Sequence, residues 1–227
     1  LYGESERQMI GETEPAMQTV RLRIEAPGAL DRAVELLRRG GLVAFPTDTV
    51  YGVGAHAFLA GAVAQLYRVK ERPAHLAIPL LLPGAAMMEA VCSEVPLVAW
   101  RLAARYWPGG LSLVLRRSDR VPDAVTAGGP TVAVRVPDYP LVCELCRRLG
   151  APLAATSANR HGQPDPVTAD DVEAALGGRV PLILDGGACR GGMPSTVLDL
   201  SVSPPVLLRR GPVTAEALAE LVPLVLD

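Results

Sequence analysis

The sequence predicts an α/β fold, a twisted sheet of parallel and antiparallel strands flanked by helices. Three observations lead there. Short apolar runs of strand length alternate with segments whose apolar residues recur at helical spacing. The 22 Gly and 21 Pro stand mostly at the joints between these segments. Of 227 residues, 49% are hydrophobic, enough to cover a sheet from both sides. No repeat or long linker divides the chain, so residues 18–227 read as one domain. The polar, acidic, aperiodic stretch 1–17 reads as a disordered or cloning-derived extension, with Met17 as a candidate start.

The elements follow in order. Leu30, Ala33, Val34 and Leu37 share one helical face, Asp31 and Arg38-Arg39 suit the two ends of the helix dipole, and Gly40-Gly41 stops the helix. Residues 42–45 form an apolar run ended by Pro46, a buried strand that delivers the chain into a loop at its C-terminal end. A helix over 59–69, a strand over 78–82 and two helical stretches within 85–106 come next. Strands are expected at 111–116, 131–136, 153–156 and 182–184, with helices at 140–149 and 168–176 between them. Pro140 suits a first helical turn, Thr168 with Asp171 resembles a capping box, and Gly150 and Gly177 suit helix ends. Strands at 195–200 and 205–209 and a helix from 214 to about 222 complete the chain.

Composition excludes several classes. A formal net charge of −2 gives no global attraction to nucleic acid or to an anionic membrane, so anion recognition must come from local cations. The apolar runs fall well short of the roughly 20 residues that cross a bilayer, and the start lacks the pattern of a signal peptide. Four scattered cysteines suit a reducing cytoplasm rather than a disulfide framework, and Cys143 and Cys146, three apart on an apolar helix face, read as core. His56, His75 and His161 follow no metal-ligand spacing. Signatures of phosphate-loop NTPases, dinucleotide binders, zincins and serine hydrolases are absent.

What remains is a set of loops, each after or within a strand, that combine hydroxyls, Gly, Pro and isolated cations. The run Pro46-Thr47-Asp48-Thr49-Val50-Tyr51-Gly52 carries more hydroxyls than a turn needs, at the mouth of an open sheet where ligands bind; the alternative is a turn whose side chains bond their own backbone. In Lys70-Glu71-Arg72-Pro73, Arg72 offers a planar fork and Lys70 a point charge to phosphate, although cations at a helix end also serve the dipole. Strand alternation puts Thr131, Ala133 and Arg135 on one face, so Arg135 points into solvent or a polar site; a substrate carboxylate is the favoured partner, with an ordinary surface or intramolecular ion pair as the alternative. Thr156-Ser157-Ala158-Asn159 and Pro194-Ser195-Thr196-Val197 supply neutral donors and acceptors, or caps and turns, and Arg209-Arg210-Gly211 follows the last strand. With no nucleophile and base in evident partnership, this inventory favours positioning and electrostatic stabilisation, as in nucleotidyl transfer from ATP with Mg²⁺ held mainly by the ATP phosphates.

Taken in order, Phe45-Pro46-Thr47-Asp48-Thr49-Val50-Tyr51-Gly52, Lys70-Glu71-Arg72-Pro73, Val134-Arg135-Val136-Pro137, Thr156-Ser157-Ala158-Asn159 and Ser195-Thr196-Val197-Leu198-Asp199 resemble the YrdC/Sua5 family. The resemblance runs from about residue 30 to 211. It implies a YrdC-like fold and the condensation of L-threonine, bicarbonate and ATP to threonylcarbamoyl-adenylate and pyrophosphate, the first step of t6A modification at position 37 of tRNA. It also implies a separate downstream tRNA threonylcarbamoyltransferase complex. Carried over residue by residue, Thr49, Arg135, Ser157 and Ser195 would hold threonine, and Arg72, Thr131, Asn159 and Arg209 would hold ATP. Lys70 and Arg72 would be catalytic, Lys70 lying beside the phosphates or the carboxylated intermediate; no residue stands out as the base for the threonine amine.

The chain departs from the family pattern in three places. Arg160-His161-Gly162 and Asp165-Pro166-Val167 stand where the family often has an aliphatic residue with Ser-Gly and, later, Ser-Pro-Thr, and the segment 74–77 lacks an expected Asn and Pro. The end soon after Arg210 resembles the short form of the family. Two competing readings are an RNA-binding module and a related enzyme that uses carbamoyl phosphate. Few aromatic residues, two Phe, five Tyr and two Trp, argue against RNA as more than a weak contact, and zinc-finger-like cysteines expected of the carbamoyl enzyme are lacking.

Overall fold

The computed structural model describes residues 17–190 and 193–223; most of the 1–17 extension lies outside them. In chain order the elements are β1 (Val20–Arg23), α1 (Ala29–Arg38), β2 (Val43–Phe45), β3 (Gly52–His56), α2 (Ala60–Lys70) and β4 (Leu80–Leu81). A 3₁₀ turn (Ala85–Met87), α3 (Met88–Val91), α4 (Leu97–Tyr106), β5 (Leu111–Arg116), α5 (Asp123–Thr126), β6 (Thr131–Arg135) and α6 (Pro140–Leu149) follow. The chain continues through β7 (Leu153–Ser157), α7 (Ala169–Leu176), β8 (Leu182–Asp185), β9 (Thr196–Asp199), β10 (Val206–Arg209) and α8 (Ala215–Ala219).

The strands form one sheet in the order β1-β8-β2-β3-β7-β4-β6-β5-β9-β10. The pairs β1/β8, β2/β8, β4/β6 and β5/β9 are parallel and the others antiparallel, as the mixed α/β expectation requires. The punctuation reads as expected at several joints. Pro140 opens α6, Gly150 takes the left-handed conformation after it, Gly40 does so after α1, and Thr168 with Asp171 closes a full capping box on α7.

Two strands were not expected, β1 and β3. The run Gly52-Val53-Gly54-Ala55-His56 looks too glycine-rich for a strand, yet the glycines serve a close approach. A Cβ on Gly54 would sit 2.9 Å from the Phe45 ring and one on Gly52 3.2 Å from it, so Phe45 lies across β3 only because those side chains are missing. The strand expected over 78–82 shrinks to Leu80–Leu81, where Pro79 and Pro83 at either side lack the N–H a ladder needs.

The two layers of helices are unequal, and that inequality makes the site. On one side, α2, α3, α4, α5, α7 and α8 pack over most of the sheet through residues such as Leu66, Leu102, Val125, Leu176 and Leu218. On the other, α1 and α6 cover β1, β8, β2, β7 and β4, with Phe45 lying over β3, through Val34, Leu37, Leu145 and Cys146. Arg135 lies beside Leu81 across the β4/β6 pair, hence on the α1/α6 side, where that layer stops short of β6, β5, β9 and β10. Cys143 and Cys146 are buried in the core, as their spacing suggests. Among the described residues no helix is long and apolar enough to cross a membrane.

Candidate functional site

The uncovered half of the sheet floors a cleft of about 340 Å³ lined by Thr47, Thr49, Arg72, Ser112, Arg135, Thr156, Ser157, Asp165, Ser195 and Arg209, among others. Six of the residues singled out in the sequence meet there: Thr49, Arg72, Arg135, Ser157, Ser195 and Arg209. They come from six segments spread over 160 positions of sequence. The sheet order helps to unite them, because it sets β3, β7, β4, β6, β5, β9 and β10 side by side.

Each functional side chain is held by its own local chemistry. In the loop after β2, the Thr47 hydroxyl donates to the Val50 carbonyl at 2.7 Å, accepts from the Thr49 amide at 3.1 Å, and lies 3.1 Å from the Thr49 hydroxyl. Thr47 therefore plays the turn role, and Thr49 is presented to the cleft. Tyr51 is fully buried. Its hydroxyl donates to the Gly187 carbonyl at 2.7 Å and accepts from the Gly186 amide, so it ties the loop to the end of β8. Burial pushes this phenol up to about 12.

Arg135 is buried and meets an internal carboxylate. Its Nη2 pairs with the Asp48 carboxylate and its Nε donates to the Gly109 carbonyl at 2.8 Å. The side chains are 10% and 15% exposed, so this is a largely desolvated internal ion pair. Two of its donors thus serve the protein, and the remainder of the fork faces the cleft. Asp48 Oδ1 is buried without a hydrogen-bond partner.

Arg72 follows α2, where Glu71 adopts a left-handed conformation that turns the chain out of the helix. Its Nε and Nη2 donate to the carbonyls of Leu76 at 3.2 Å and Ala77 at 2.8 Å. Arg209, at the end of β10, donates from Nε to the Ser195 carbonyl at 2.9 Å and from Nη2 to its hydroxyl at 3.0 Å, and that hydroxyl also meets Ser112 at 2.9 Å. Burial lowers the pKa of Arg72; burial and then the charge of Arg135 lower that of Arg209. Partly desolvated, mutually repelling cations of this kind are favourable places for an anion.

Three expected site residues do not line the cleft. Lys70 is only 2% exposed. Its ammonium donates to the Ser157 carbonyl, to the Asn159 carbonyl at 2.5 Å and to Asn159 Oδ1 at 2.9 Å. Burial, with some repulsion from Arg72, pulls it down to about 8. Asn159 is buried too, with Oδ1 accepting from Ser157 Oγ at 2.7 Å and Nδ2 donating to the Gln163 carbonyl at 2.5 Å. Both act at the back of the wall. Thr131 lies on the same face of β6 as Arg135 but four residues away, about 13 Å along the strand.

The sequence reading missed Ser112, Asp165 and the cleft-facing side of Thr156. Ser112 had a signal, as the lone polar residue among the apolar positions of a strand; Asp165 stood in a segment noted only for its departure from a pattern. Among the described residues no group of three or more His, Cys, Asp or Glu could hold a metal ion.

With this geometry in hand, the relatives are informative. The chain is 42% identical over 84% of its length to a threonylcarbamoyl-AMP synthase of Pyrococcus abyssi and, to the same extent, to one of Bacillus subtilis, covering 56% of each. It therefore spans about half the length of these curated relatives. It covers 87% of a putative threonylcarbamoyl-AMP synthase of Mycobacterium tuberculosis at 38% identity. Its structure resembles that of P. abyssi Sua5 complexed with L-threonine, with a TM-score of 0.84 and 40% identity over 92% of this chain and 62% of that one. E. coli YciO matches with a TM-score of 0.77 and 27% identity, over 89% of this chain and 99% of that one. A family model described as telomere recombination, that of Sua5, YciO and YrdC, matches residues 35–211. From a shared fold, a match across more than half the chain and the ordered motifs that build the cleft, it follows that this chain belongs to the Sua5/YciO/YrdC family.

Proposed function

We propose that the chain condenses L-threonine, bicarbonate and ATP to threonylcarbamoyl-AMP and pyrophosphate, feeding t6A modification of tRNA. The observation that carries this reading is the cleft itself, which gathers Arg72, Arg135 and Arg209 around the hydroxyls of Thr49, Ser157 and Ser195. Substantial identity to threonylcarbamoyl-AMP synthases and likeness to a threonine-bound Sua5 support it. Residues 18–227 would form the catalytic domain, acting in the cytoplasm and passing product to a separate tRNA threonylcarbamoyltransferase complex.

The threonine amine condenses with bicarbonate to a carbamate and water. A carbamate oxygen then attacks the α-phosphorus as the bond to the bridging β-phosphate oxygen breaks and pyrophosphate leaves. Substrate enters as ATP with Mg²⁺ on its phosphates. Arg135, fixed by Asp48 and Gly109, offers its free donors to the threonine carboxylate, while Thr49, Ser157 and Ser195 orient the amino acid. Arg72 and Arg209 offset phosphate charge, and Thr131 stands farther along the open face for the nucleoside end. Lys70 and Asn159 support this from behind, by holding the Ser157 segment in register. Catalysis of this kind relies on fixed geometry and electrostatics.

The test is incubation with ATP, bicarbonate and L-threonine, L-serine or carbamoyl phosphate, with pyrophosphate detection and mass analysis of the adenylate. Threonine-dependent pyrophosphate and a threonylcarbamoyl-adenylate mass are expected. Pyrophosphate release indifferent to threonine, or driven by carbamoyl phosphate, would sink the proposal.

A further inference from the structure

Asp165 is unusual in the cleft. It is the only carboxylate among the described lining residues, in a wall otherwise made of arginines, hydroxyls and apolar side chains. It makes no ion pair within the described residues. Even so, it is near enough to Lys70 and Arg209 to favour their charged forms.

Its position is set by the backbone. Asp165 lies between Pro164 and Pro166, whose rings restrict the chain on both sides. The Pro166 carbonyl accepts from the Tyr51 amide at 2.8 Å, the Gln163 carbonyl from Asn159 Nδ2, and the Val167 amide donates to Asp171 Oδ2 at 3.0 Å. An exposed carboxylate is thus held at the wall of the cleft by a segment anchored before and after it. Position 165 is also one of the places where the chain departs from the family pattern, which often has Ser there.

A fixed carboxylate facing ATP phosphates repels them unless a cation lies between. Mg²⁺ is the natural cation, because it takes oxygen ligands and is commonly held by one or two carboxylates together with substrate phosphates. Resting on the nucleotide-handling function proposed above, we infer that Asp165 is an oxygen ligand to the Mg²⁺ that accompanies ATP. The chain thereby couples nucleotide binding to the metal more strongly than phosphates alone would.

The test compares ATP binding to the full chain by titration calorimetry, with Mg²⁺ and with EDTA, in native protein and in Asp165→Asn, Asp165→Ser and Asp165→Glu. Binding is reciprocal, so the ratio of the two affinities reads the metal coupling directly. In Asp165→Asn and Asp165→Ser the advantage conferred by Mg²⁺ should fall about tenfold or more, with metal-free ATP bound as well as or better than before. Asp165→Glu should restore part of the coupling. Equal losses with and without Mg²⁺, or no change in either, would overturn the inference while leaving the proposed function standing. So would an intact metal coupling with a raised threonine requirement, which would make Asp165 the partner of the amino-acid ammonium. Failure of the native chain to bind ATP under either condition would overturn both.

Discussion

Replacing Asp48 with Asn tests whether the cleft is built on a desolvated ion pair. Asp48 and Arg135 are 15% and 10% exposed, and Arg135 has no other carboxylate partner among the described residues. Removing one member of such a pair leaves the other charge uncompensated, at about 3–5 kcal/mol. Asn keeps the shape and one acceptor, so the lower end, about 3 kcal/mol, is expected. For a chain of this size that corresponds to a fall of about 6–12 °C in Tm. Urea unfolding and thermal denaturation would measure it, and Asp48→Asn combined with Arg135→Gln should recover part of the loss because the stranded charge is gone. Threonine needed for half-maximal turnover should rise in Asp48→Asn, since Arg135 loses its orientation. A stability loss under about 1 kcal/mol, the value of an ordinary exposed pair, would refute the reasoning.

Lys70 carries a pH prediction. Its pKa is about 8 in the folded chain against 10.5 when free, so between those values the unfolded chain holds a proton that the folded chain has shed. Unfolding titrations should therefore show native protein gaining stability over Lys70→Met as pH rises from about 8 toward 10.5, and a constant difference would contradict the burial. ATP affinity should fall over the same interval as the ammonium that pins Ser157 and Asn159 is lost. Arg72→Ala gives up two hydrogen bonds to carbonyls, a stability cost of about 1–3 kcal/mol, while turnover should drop about 100- to 1000-fold; near-normal turnover in the pyrophosphate assay would reject its phosphate role. At Gly211 a Cβ would lie 2.2 Å from the Thr196 amide nitrogen and 2.6 Å from the Pro194 carbonyl oxygen. Gly211→Ala should cost about 1–3 kcal/mol and, by displacing Ser195, weaken ATP binding through Arg209; a calorimetric titration with unchanged affinity would count against that coupling.

The helices were the most legible part of the fold. Leu30, Ala33, Val34 and Leu37 place α1, and the cap residues of α6 and α7 mark their ends, because helix signals are local. β3 was hidden because its glycines answer to Phe45, a residue on another strand. The Asp48–Arg135 pair was hidden for a similar reason: nothing along the chain says that a residue after β2 will meet one at the end of β6, with β3, β7 and β4 between them in the sheet.

The amino-acid sequence by itself determined the α/β class, the places where strands hand over to loops, and the residues chemically able to hold anions. Those properties depend on periodicity and side-chain type within a few neighbours. Only the tertiary structure decided which of those residues face the cleft, that Lys70 and Asn159 stand behind its wall, that Arg135 is paired, and that Asp165 lines the cleft. Each of these depends on strand order and on how far α1 and α6 extend over the sheet, which is settled by packing between segments distant in sequence.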